Sequence, residues 1–369
     1  MPRTSSDVTT SVRLQLEDLI NSLPVHSRIP PRRSLMQSYG VSRTTIDRAI
    51  AELTADGVLY ARGGSGTYVA ERRIEAHSGK QGLTIGVLLP DIRRYNYPAI
   101  LRGIEHAAFE RGVNLMVGNI ENQATRQNHY LKSFVSSGVS GVIIIPARPN
   151  PSEQLEEQLY AMLHDVTANN IPCVFCNRAP LGFEAPQVIC NDFLGGLLGT
   201  QHLLEQGYRR IAYISHPRYT ISLNRYMGYL SAHTLAGIVP DPALTVFSES
   251  WDFEKPGRQE LARLISLQQP PDAAFCFTDF LALGAYRTAV EHGLTPGSDF
   301  GIMGYDDNAI CKTVDIPLSS VKVHSFEMGS MAAKVLFESI ARPRTFKPST
   351  DILAPELAIR ASSRRVLKP

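Results

Sequence analysis

The 369-residue sequence has no run of 18 apolar residues and no apolar segment after Met1. The first absence argues against a membrane-spanning helix, and the second argues against a signal for export. The net charge is only +2, so the chain is not basic throughout, while 43% hydrophobic and 20% charged residues are typical of a globular protein. We therefore expect a cytoplasmic protein that has two or three domains and no contact with a membrane.

Cysteine is also scarce, with five residues in the whole chain. An odd number of scattered cysteines is typical of a reducing compartment. Cys173 and Cys176 form a CxxC pattern, but they lie in the apolar run 171–176, which reads as a buried strand. Because residues three apart on a strand point to opposite faces, we predict neither a metal site nor a redox pair here.

The motifs of common α/β enzymes are missing. The patterns GxxxxGK[ST] and GxSxG do not occur, and the segment Gly195–Gly199 is not a dinucleotide fingerprint. We therefore predict no catalytic residue, no metal and no cofactor. The alternative is a nucleotide- or sugar-processing enzyme with an added N-terminal domain. Such an enzyme would need one of these motifs.

The segment 29–57 has the pattern of a helix, a tight turn and a second helix. Two prolines precede a predicted helix from Arg32 to Tyr39, and Gly40 permits the turn. Ser42 can cap the N-terminus of the second helix, which Gly57 would end. A helical hairpin without DNA-binding activity is the alternative interpretation of this spacing.

The second helix has one apolar and one polar face. The apolar residues recur at helical spacing and are Ile46, Ala49, Ile50 and Leu53. The first two turns leave polar residues free on the other face, namely Arg43, Thr44, Asp47 and Arg48. Within residues 28–48 the basic residues Arg28, Arg32, Arg33, Arg43 and Arg48 are opposed by Asp47 alone. A local basic face of this kind is what neutralisation of DNA phosphates requires.

A β-hairpin is predicted directly after the second helix. Residues 58–62 and 67–69 have strand character, and the glycine-rich segment 63–66 lies between them. Together with the two helices, this hairpin closely resembles the winged-helix DNA-binding domain of GntR-type bacterial regulators. The matching segments cover residues from about 7 to 71 and include Val41-Ser42-Arg43-Thr44-Thr45 and Gly64-Ser65-Gly66-Thr67-Tyr68-Val69.

This resemblance implies double-stranded DNA as a partner. A recognition helix enters the major groove with its N-terminal residues, where arginines contact guanine edges or phosphates. The expected DNA contacts are Arg32, Arg33, Ser42, Arg43, Thr44, Thr45, Arg48, Gly64 and Gly66. Asp47 stands where many relatives carry a basic residue, and it could accept a hydrogen bond from cytosine or repel phosphate.

From Leu83 onward, strands and helices alternate. The predicted strands cover 84–89, 113–117, 139–145 and 172–176, and the predicted helices cover 98–111, 126–137 and 152–168. A proline-containing stretch at 179–187 interrupts the pattern, which restarts with 193–206, 210–215 and 223–235. Repeated βα units predict parallel sheets flanked by helices, and the length of this region predicts two α/β lobes.

Two lobes behind a DNA-binding domain resemble the effector-binding core of lac-repressor-type regulators, which is similar to periplasmic sugar-binding proteins. The resemblance covers residues from about 83 to 363 and is carried by segments such as Asp279-Phe280-Leu281-Ala282-Leu283-Gly284 and Gly304-Tyr305-Asp306-Asp307. The complete chain resembles arabinose-repressor-type regulators. The fold class is therefore α/β, with an N-terminal winged helix-turn-helix and a two-lobed periplasmic-binding-protein-like core of parallel sheets.

In the family that the core resembles, the ligand lies between the lobes, near the carboxyl ends of strands. By resemblance Arg225 would bond ligand hydroxyls, although a surface arginine on a helix is the alternative. Asp306 would accept hydrogen bonds from the ligand, and Asn177 with the adjacent Arg178 could contribute from the other lobe.

Three further positions complete the predicted ligand site, together with Tyr97 as a weaker aromatic candidate. Trp251, the only tryptophan, would stack on a sugar ring, or would instead be a buried core residue. Asp279 is expected to stabilise the region between the lobes, and Thr278 replaces an asparagine that is usual in the family.

We therefore expect a DNA-binding domain at 1–71, a linker at 72–82 and an effector-binding and dimerisation domain at 83–369. The predicted function is that of a ligand-responsive repressor of carbohydrate-utilisation genes, which as a homodimer would recognise an inverted repeat. An activator of the same architecture or a non-sugar effector are the alternatives. A transport binding protein is disfavoured by the N-terminal domain.

Overall fold

The computed structural model describes residues 12–13, 15–16, 19–20, 23–24, 26–55, 58–62, 65–70, 83–148, 163–164, 166, 168–180, 183–343 and 345–366. The chain divides into two compact units on either side of the boundary between Leu83 and Thr84. Among the described residues, no helix is both long enough and apolar enough to cross a bilayer.

The N-terminal unit contains the predicted helix pair and hairpin. Helix α1 (Arg32–Tyr39) and helix α2 (Arg43–Ala55) are followed by antiparallel strands β1 (Leu59–Arg62) and β2 (Gly66–Val69). Gly40 between the helices has a left-handed backbone, with φ of 64°, and its amide bonds to the Met36 carbonyl. This confirms the predicted turn.

A single apolar core holds this unit together. The second helix contributes the four residues expected from its spacing, Ile46, Ala49, Ile50 and Leu53, all of which are buried. Val12, Leu16 and Ile20 are helical positions that are buried in the same core. Strands β1 and β2 close it with Leu59 and Val69.

The larger unit is an alternation of strands and helices, as predicted. Its helices are α3 (Tyr97–Phe109), α4 (Ala124–Ser136), α5 (Asp192–Glu205), α6 (Thr220–Leu235), α7 (Lys255–Ile265), α8 (Asp279–Glu291) and α9 (Ser325–Ala341). Its strands are β3 (Thr84–Leu89), β4 (Asn114–Asn119), β5 (Val142–Ile144), β6 (Cys173–Cys176), β7 (Gln187–Cys190), β8 (Ile211–Ser215), β9 (Thr245–Phe247), β10 (Ala273–Cys276), β11 (Gly301–Asp306), β12 (Ser319–Lys322), β13 (Thr350–Leu353) and β14 (Glu356–Ala358).

These strands form two six-stranded sheets, and each sheet is the centre of one lobe. Lobe I has the strand order β13-β7-β6-β5-β3-β4 with every neighbouring pair parallel. Lobe II has the order β14-β12-β11-β10-β8-β9, in which only β14 is antiparallel to its neighbour. The chain crosses between the lobes three times: after β7, after β12 and after β13.

The first of these crossings differs from the sequence prediction in strand β7 and in the start of helix α5, which lies one residue before the predicted helix 193–206. Strand β7 was not predicted, because its four residues follow a proline-containing segment and have no helical or strand period long enough to detect. Helix α5 begins at Asp192, where the Asn191 side chain accepts a hydrogen bond from the Leu194 amide. The side chain of Asp192 thus lies in the first turn of a helix, at the border between the lobes.

Helices α5 and α6 cross at very close range in lobe II. A Cβ atom on Gly196 would lie 2.1 Å from the backbone oxygen of Arg225. The missing side chain therefore lets α5 contact α6 at the position of Arg225. This contact fixes the backbone of Arg225 beside the start of α5.

The CxxC pattern lies on a strand, as predicted. Cys173 and Cys176 are the first and last residues of β6, and both thiols are buried and free. Burial raises the pKa of Cys173 to about 11 and that of Cys176 to about 12. Both groups are therefore neutral thiols at physiological pH and are poor nucleophiles.

Candidate functional sites

Exposed polar residues of the N-terminal unit lie in the first turns of helices α1 and α2. Arg43, Thr44 and Arg48 are exposed in the first two turns of α2, and Arg32 and Arg33 are exposed at the start of α1. The Ser42 hydroxyl accepts a hydrogen bond from the Thr45 amide at 3.3 Å and lies 2.9 Å from the Thr45 hydroxyl. Ser42 is therefore the predicted N-cap of α2.

Two of the polar residues that we expected to be free are paired with each other. Asp47 lies between two arginines, with its Oδ1 atom 2.5 Å from Arg32 Nε and its Oδ2 atom 3.5 Å from Arg43 Nε. Arg48 forms a similar pair with Glu52 at 3.5 Å. Asp47 thus holds the guanidinium groups of α1 and α2 together and neutralises part of their charge.

The β-hairpin has a glycine with a positive φ at its turn. Gly66 has φ of +123°, and a Cβ atom there would lie 2.5 Å from Arg28 Nε. The positive φ favours glycine, and any side chain here would have to displace the Arg28 guanidinium. The Tyr60 and Tyr68 rings stack with centroids 5.6 Å apart on the same hairpin, while Gly64 lies outside the described residues.

Asp47→Asn is expected to strengthen non-specific DNA binding, because it removes the negative charge that opposes Arg32 and Arg43. Binding of a random-sequence duplex should become more salt-dependent, with a log K against log salt slope steeper by about 1 to 2. Fluorescence anisotropy between 50 and 200 mM salt would measure the slope.

Glu110→Gln provides the matched control. It makes the same change of charge at an exposed position of the larger unit, so it should leave the slope unchanged. An Asp47→Asn slope equal to that of the wild type would show that Asp47 does not limit the charge available to DNA.

Aromatic side chains from both lobes meet in the cleft between them. Tyr95 of lobe I packs against Phe253 and Phe280 of lobe II, with ring centroids 5.2 and 5.4 Å away. Arg148 of lobe I lies 4.9 Å over the ring of Trp251 of lobe II. The cleft is therefore in a closed arrangement at these residues.

Trp251 lies in the loop after β9 and is only partly buried. Its ring is near His216 and Tyr219, each with a centroid distance of 5.4 Å. Partial exposure beside an arginine from the opposite lobe is not expected of a core tryptophan. The indole therefore lies at the border between the two lobes.

Arg225 is almost completely buried, with 4% of its surface exposed, so the alternative of a surface arginine is wrong. Its Nε donates to Asp192 Oδ1 at 2.8 Å, and its Nη1 donates to the Phe277 carbonyl at 2.5 Å. Its Nη2 lies 3.7 Å from Asp306 Oδ1, and its guanidinium lies 3.4 Å from the centre of the Tyr305 ring. The Arg225 guanidinium thus lies between the carboxyl groups of Asp192 and Asp306.

Asp306 is the last residue of β11, and its backbone has the unusual φ of +102°. Burial raises the pKa of this carboxyl to about 8; Arg225 offsets part of the shift, while the negative charges of Asp279 and Asp192 add to it. A carboxyl with this pKa can either donate or accept a hydrogen bond near neutral pH.

The neighbouring residues Thr278 and Asp279 have structural contacts within lobe II. The Thr278 side chain caps α8 by accepting from the Leu281 amide at 3.3 Å. Asp279 accepts from the Ser320 hydroxyl at 2.6 Å and from the Asn308 amide at 2.7 Å. We expected Asp279 to stabilise the region between the lobes, but its described hydrogen bonds join only segments of lobe II.

The other predicted ligand residues, Tyr97, Asn177 and Arg178, belong to lobe I and lie close together. Arg178 Nη1 donates to the Tyr97 hydroxyl at 3.1 Å, and its Nη2 donates to the Pro146 carbonyl. Asn177, with φ of 65°, accepts a hydrogen bond from Asn96 Nδ2 at 3.4 Å. Tyr97, Asn177 and Arg178 are all buried here.

Arg148, His216 and Tyr219 were not predicted from the sequence. His216 Nδ1 lies 3.1 Å from the Ser250 carbonyl, which can only accept, so Nδ1 carries the proton. Burial, together with Arg148, lowers the pKa of His216 to about 4, and the imidazole is therefore neutral. Its buried Nε2 is an acceptor without a partner among the described residues.

The arrangement combines fixed donors, acceptors and aromatic faces in a buried cleft. Guanidinium groups donate, the carboxyls and the His216 Nε2 atom accept, and the indole offers an apolar face, which together suit a polyhydroxylated ring. Among the described residues, no group of three or more histidine, cysteine, aspartate or glutamate side chains is placed to hold a metal ion.

Asp306→Asn is expected to reduce the loss of stability between about pH 4 and 8. The folded chain holds the Asp306 proton more tightly than the unfolded chain, because its pKa is about 8 and not 3.8. The stability that this group contributes is therefore complete below about pH 4 and is lost as the pH rises through about 8. Melting temperatures across this range would test the expectation. Asp315→Asn makes the same change on the surface and should keep the pH dependence of the wild type.

Comparison with known proteins agrees with both units. Residues 9–69 match the family described as bacterial regulatory proteins, gntR family, and residues 200–363 match a periplasmic binding protein-like domain. The arabinose metabolism transcriptional repressor of Geobacillus stearothermophilus is 30% identical over 350 residues, which is 92% of each chain. The HTH-type transcriptional repressor PurR of Actinobacillus pleuropneumoniae is 29% identical over 89% of this chain and 97% of its own.

A solved structure shows the same core. A LacI family transcriptional regulator from Enterococcus faecium with bound ribose is 26% identical and aligns with a TM-score of 0.64, over 77% of this chain and 99% of its own. These relatives confirm the predicted architecture, and they are transcriptional regulators and not enzymes. The chain belongs to the family of bacterial transcriptional regulators that join a gntR-type DNA-binding domain to a periplasmic-binding-protein-like core, the family of the arabinose metabolism repressors.

Proposed function

We propose that this regulator is a repressor whose affinity for its operator changes when a small sugar-like effector binds between lobes I and II. The observation that carries the proposal is the set of polar and aromatic side chains in the cleft, to which Trp251, Asp306 and Arg148 contribute from both lobes. Names of relatives support it, since they include repressors of arabinose metabolism and a regulator with bound ribose.

The proposed mechanism uses the closed arrangement of the lobes. Tyr95 contacts Phe253 across the cleft, and Arg148 contacts Trp251. An effector that touches both sides would add contacts in the closed state and would shift the population toward it. A coupling of about 1 to 3 kcal/mol would change DNA affinity by about 5- to 150-fold.

We further propose a homodimer that recognises an inverted repeat and acts in the cytoplasm, where chromosomal DNA lies. Two DNA-binding domains related by a two-fold axis require half-sites with the same symmetry. The proposed domains are 1–71 for DNA binding, 72–82 for the linker and 83–369 for effector binding and dimerisation. Sedimentation at micromolar concentration with operator DNA would test the dimer, and a monomer bound to DNA would contradict it.

The effector claim is tested by the fluorescence of the only tryptophan. The full chain is titrated with arabinose, ribose, other monosaccharides, sugar acids, sugar phosphates and nucleobases, while anisotropy follows its release from a duplex selected in vitro. A saturable fluorescence change that accompanies a change in DNA affinity is expected from one class of compound. Trp251→Phe leaves no tryptophan, so any fluorescence change that remains in this variant comes from the compound itself. DNA binding that no compound alters would contradict the effector role and leave DNA recognition standing.

A further inference from the structure

Arg148 is a buried cation whose described neighbours are mostly aromatic. It is 8% exposed, its guanidinium lies 4.5 Å from the Tyr95 ring centre, and its Nη1 is 3.5 Å from the Tyr95 hydroxyl. Its own amide bonds to Asn122, which fixes the backbone. Within the described part of the chain, no carboxylate oxygen lies within 4.0 Å of this guanidinium.

Arg178 is a second buried cation in the same lobe. It is 7% exposed, and its two Nη atoms bond only to neutral groups, the Tyr97 hydroxyl and the Pro146 carbonyl. Its Nε is buried and has no partner among the residues that the structure describes. No carboxylate of those residues lies within 4.0 Å of it either.

The guanidinium groups of Arg148 and Arg178 both lower the pKa of the Tyr97 hydroxyl. Burial alone would raise the pKa of Tyr97, yet Arg178 and Arg148 together lower it. Both cations are therefore close to the Tyr97 hydroxyl. Arg225 in lobe II differs from them, because Asp192 and Asp306 lie beside its guanidinium.

Among the described residues, neither buried cation has a carboxylate within 4.0 Å, and an incoming anion would relieve the cost of burying the two charges. We propose that the effector is anionic, a sugar acid or sugar phosphate whose carboxylate or phosphate is bound by Arg148 and Arg178 of lobe I. This inference rests on the proposed function and specifies its ligand. The planar fork of arginine donors fits two oxygens of either group.

The rest of the cleft then holds the sugar body. Trp251 lies against Arg148 and offers its ring to an apolar sugar face, while the free acceptor of His216 can take a hydroxyl proton. A neutral sugar would fill these contacts but would bring no negative charge to the two lobe I arginines. The charge of the ligand is therefore the property that distinguishes the two cases.

The test compares matched pairs of compounds on the full chain at constant ionic strength. D-galacturonate, D-gluconate and D-ribose 5-phosphate are compared with D-galactose, D-glucose and D-ribose, and inorganic phosphate is included alone. Titration calorimetry gives the affinities. At least one anionic compound should bind about tenfold or more tightly than its neutral counterpart. The carboxylate and phosphate pairs show which anion the arginines accept.

Two substitutions assign the binding to the arginines. Arg148→Gln and Arg178→Gln should each weaken binding of the anionic compound by about 10- to 100-fold, as for loss of a hydrogen bond to a charged group. Arg148→Lys should retain part of the affinity, because it keeps the charge. Arg93→Gln removes an exposed arginine of lobe I, and it should change the affinity by less than about twofold.

Three results would overturn the proposal: equal or tighter binding of the neutral member of every pair, an affinity for the anion that neither glutamine variant changes, or no binding by any compound of the panel. Urea unfolding followed by Trp251 fluorescence shows whether the larger unit of each variant is folded, and DNA binding is measured in parallel. A neutral sugar that releases DNA would overturn the anionic effector and leave the proposed function standing. If no compound binds and none releases DNA, the anionic effector and the proposed function would both be contradicted.

Discussion

Arg225→Met is expected to destabilise the larger unit by about 3 to 5 kcal/mol, the typical cost of removing one member of a buried ion pair. The variant would leave Asp192 buried without its cation and the Phe277 carbonyl without its donor. Urea unfolding followed by Trp251 fluorescence reports on this unit, because the tryptophan lies within it.

The double variant Arg225→Met, Asp192→Leu is the matched control. Replacing both members of a buried pair with apolar groups is often neutral, so the double variant should recover most of the lost stability. Arg225→Met as stable as the wild type would show that Asp192 does not need the cation. Burial raises the pKa of Asp192 even beside Arg225, and protonation would remove its charge. The cost of Arg225→Met should therefore shrink as the pH is lowered toward 4.

Arg43→Ala is expected to weaken operator binding by about 5- to 150-fold, since a well-placed arginine at a base edge contributes about 1 to 3 kcal/mol. Arg43 is the first residue of α2, and 75% of its side chain is exposed beside Asp47. Anisotropy with a selected duplex measures the loss. A repressor variant should also raise the transcript of its target gene, whereas an activator variant should lower it.

Arg43→Lys separates recognition of a base from neutralisation of a phosphate. It keeps the charge but not the planar fork, so it should lose sequence preference while retaining non-specific affinity. Arg93→Ala removes an exposed arginine of the larger unit and should leave operator binding unchanged. An Arg43→Ala variant with wild-type affinity for the operator would remove Arg43 from the recognition surface.

Local sequence signals predicted the N-terminal unit well. The helical spacing of Ile46, Ile50 and Leu53 and the glycine at position 40 each impose a conformation on a few neighbouring residues. The salt bridges of Asp47 were not predicted, because its contact with Arg32 joins residues 15 positions apart. Charge counting treats such residues as independent, although side-chain pairing decides how much of their charge is free.

The cleft was harder to predict than the sheets around it. Arg225 and Asp306 were identified only by resemblance to a family, and the sequence could not show that Asp192 would share the same guanidinium. Arg148 and His216 were missed, because their meeting depends on where the ends of strands β5 and β8 lie in two different lobes. The available signal was a polar residue shortly after a buried strand: His216 directly follows β8, and Arg148 comes four residues after the end of β5.

The three crossings between the lobes also determine when each lobe can finish folding during synthesis on the ribosome. Strand β7 is paired on its outer side by β13, whose residues are made only after the whole of helix α9. At about 5 to 20 residues per second, on the order of ten seconds separate the two strands during synthesis. Throughout this interval the edge of β7 is open to other nascent chains on the same messenger RNA. Lobe I can therefore be completed only after nearly all of lobe II has been translated.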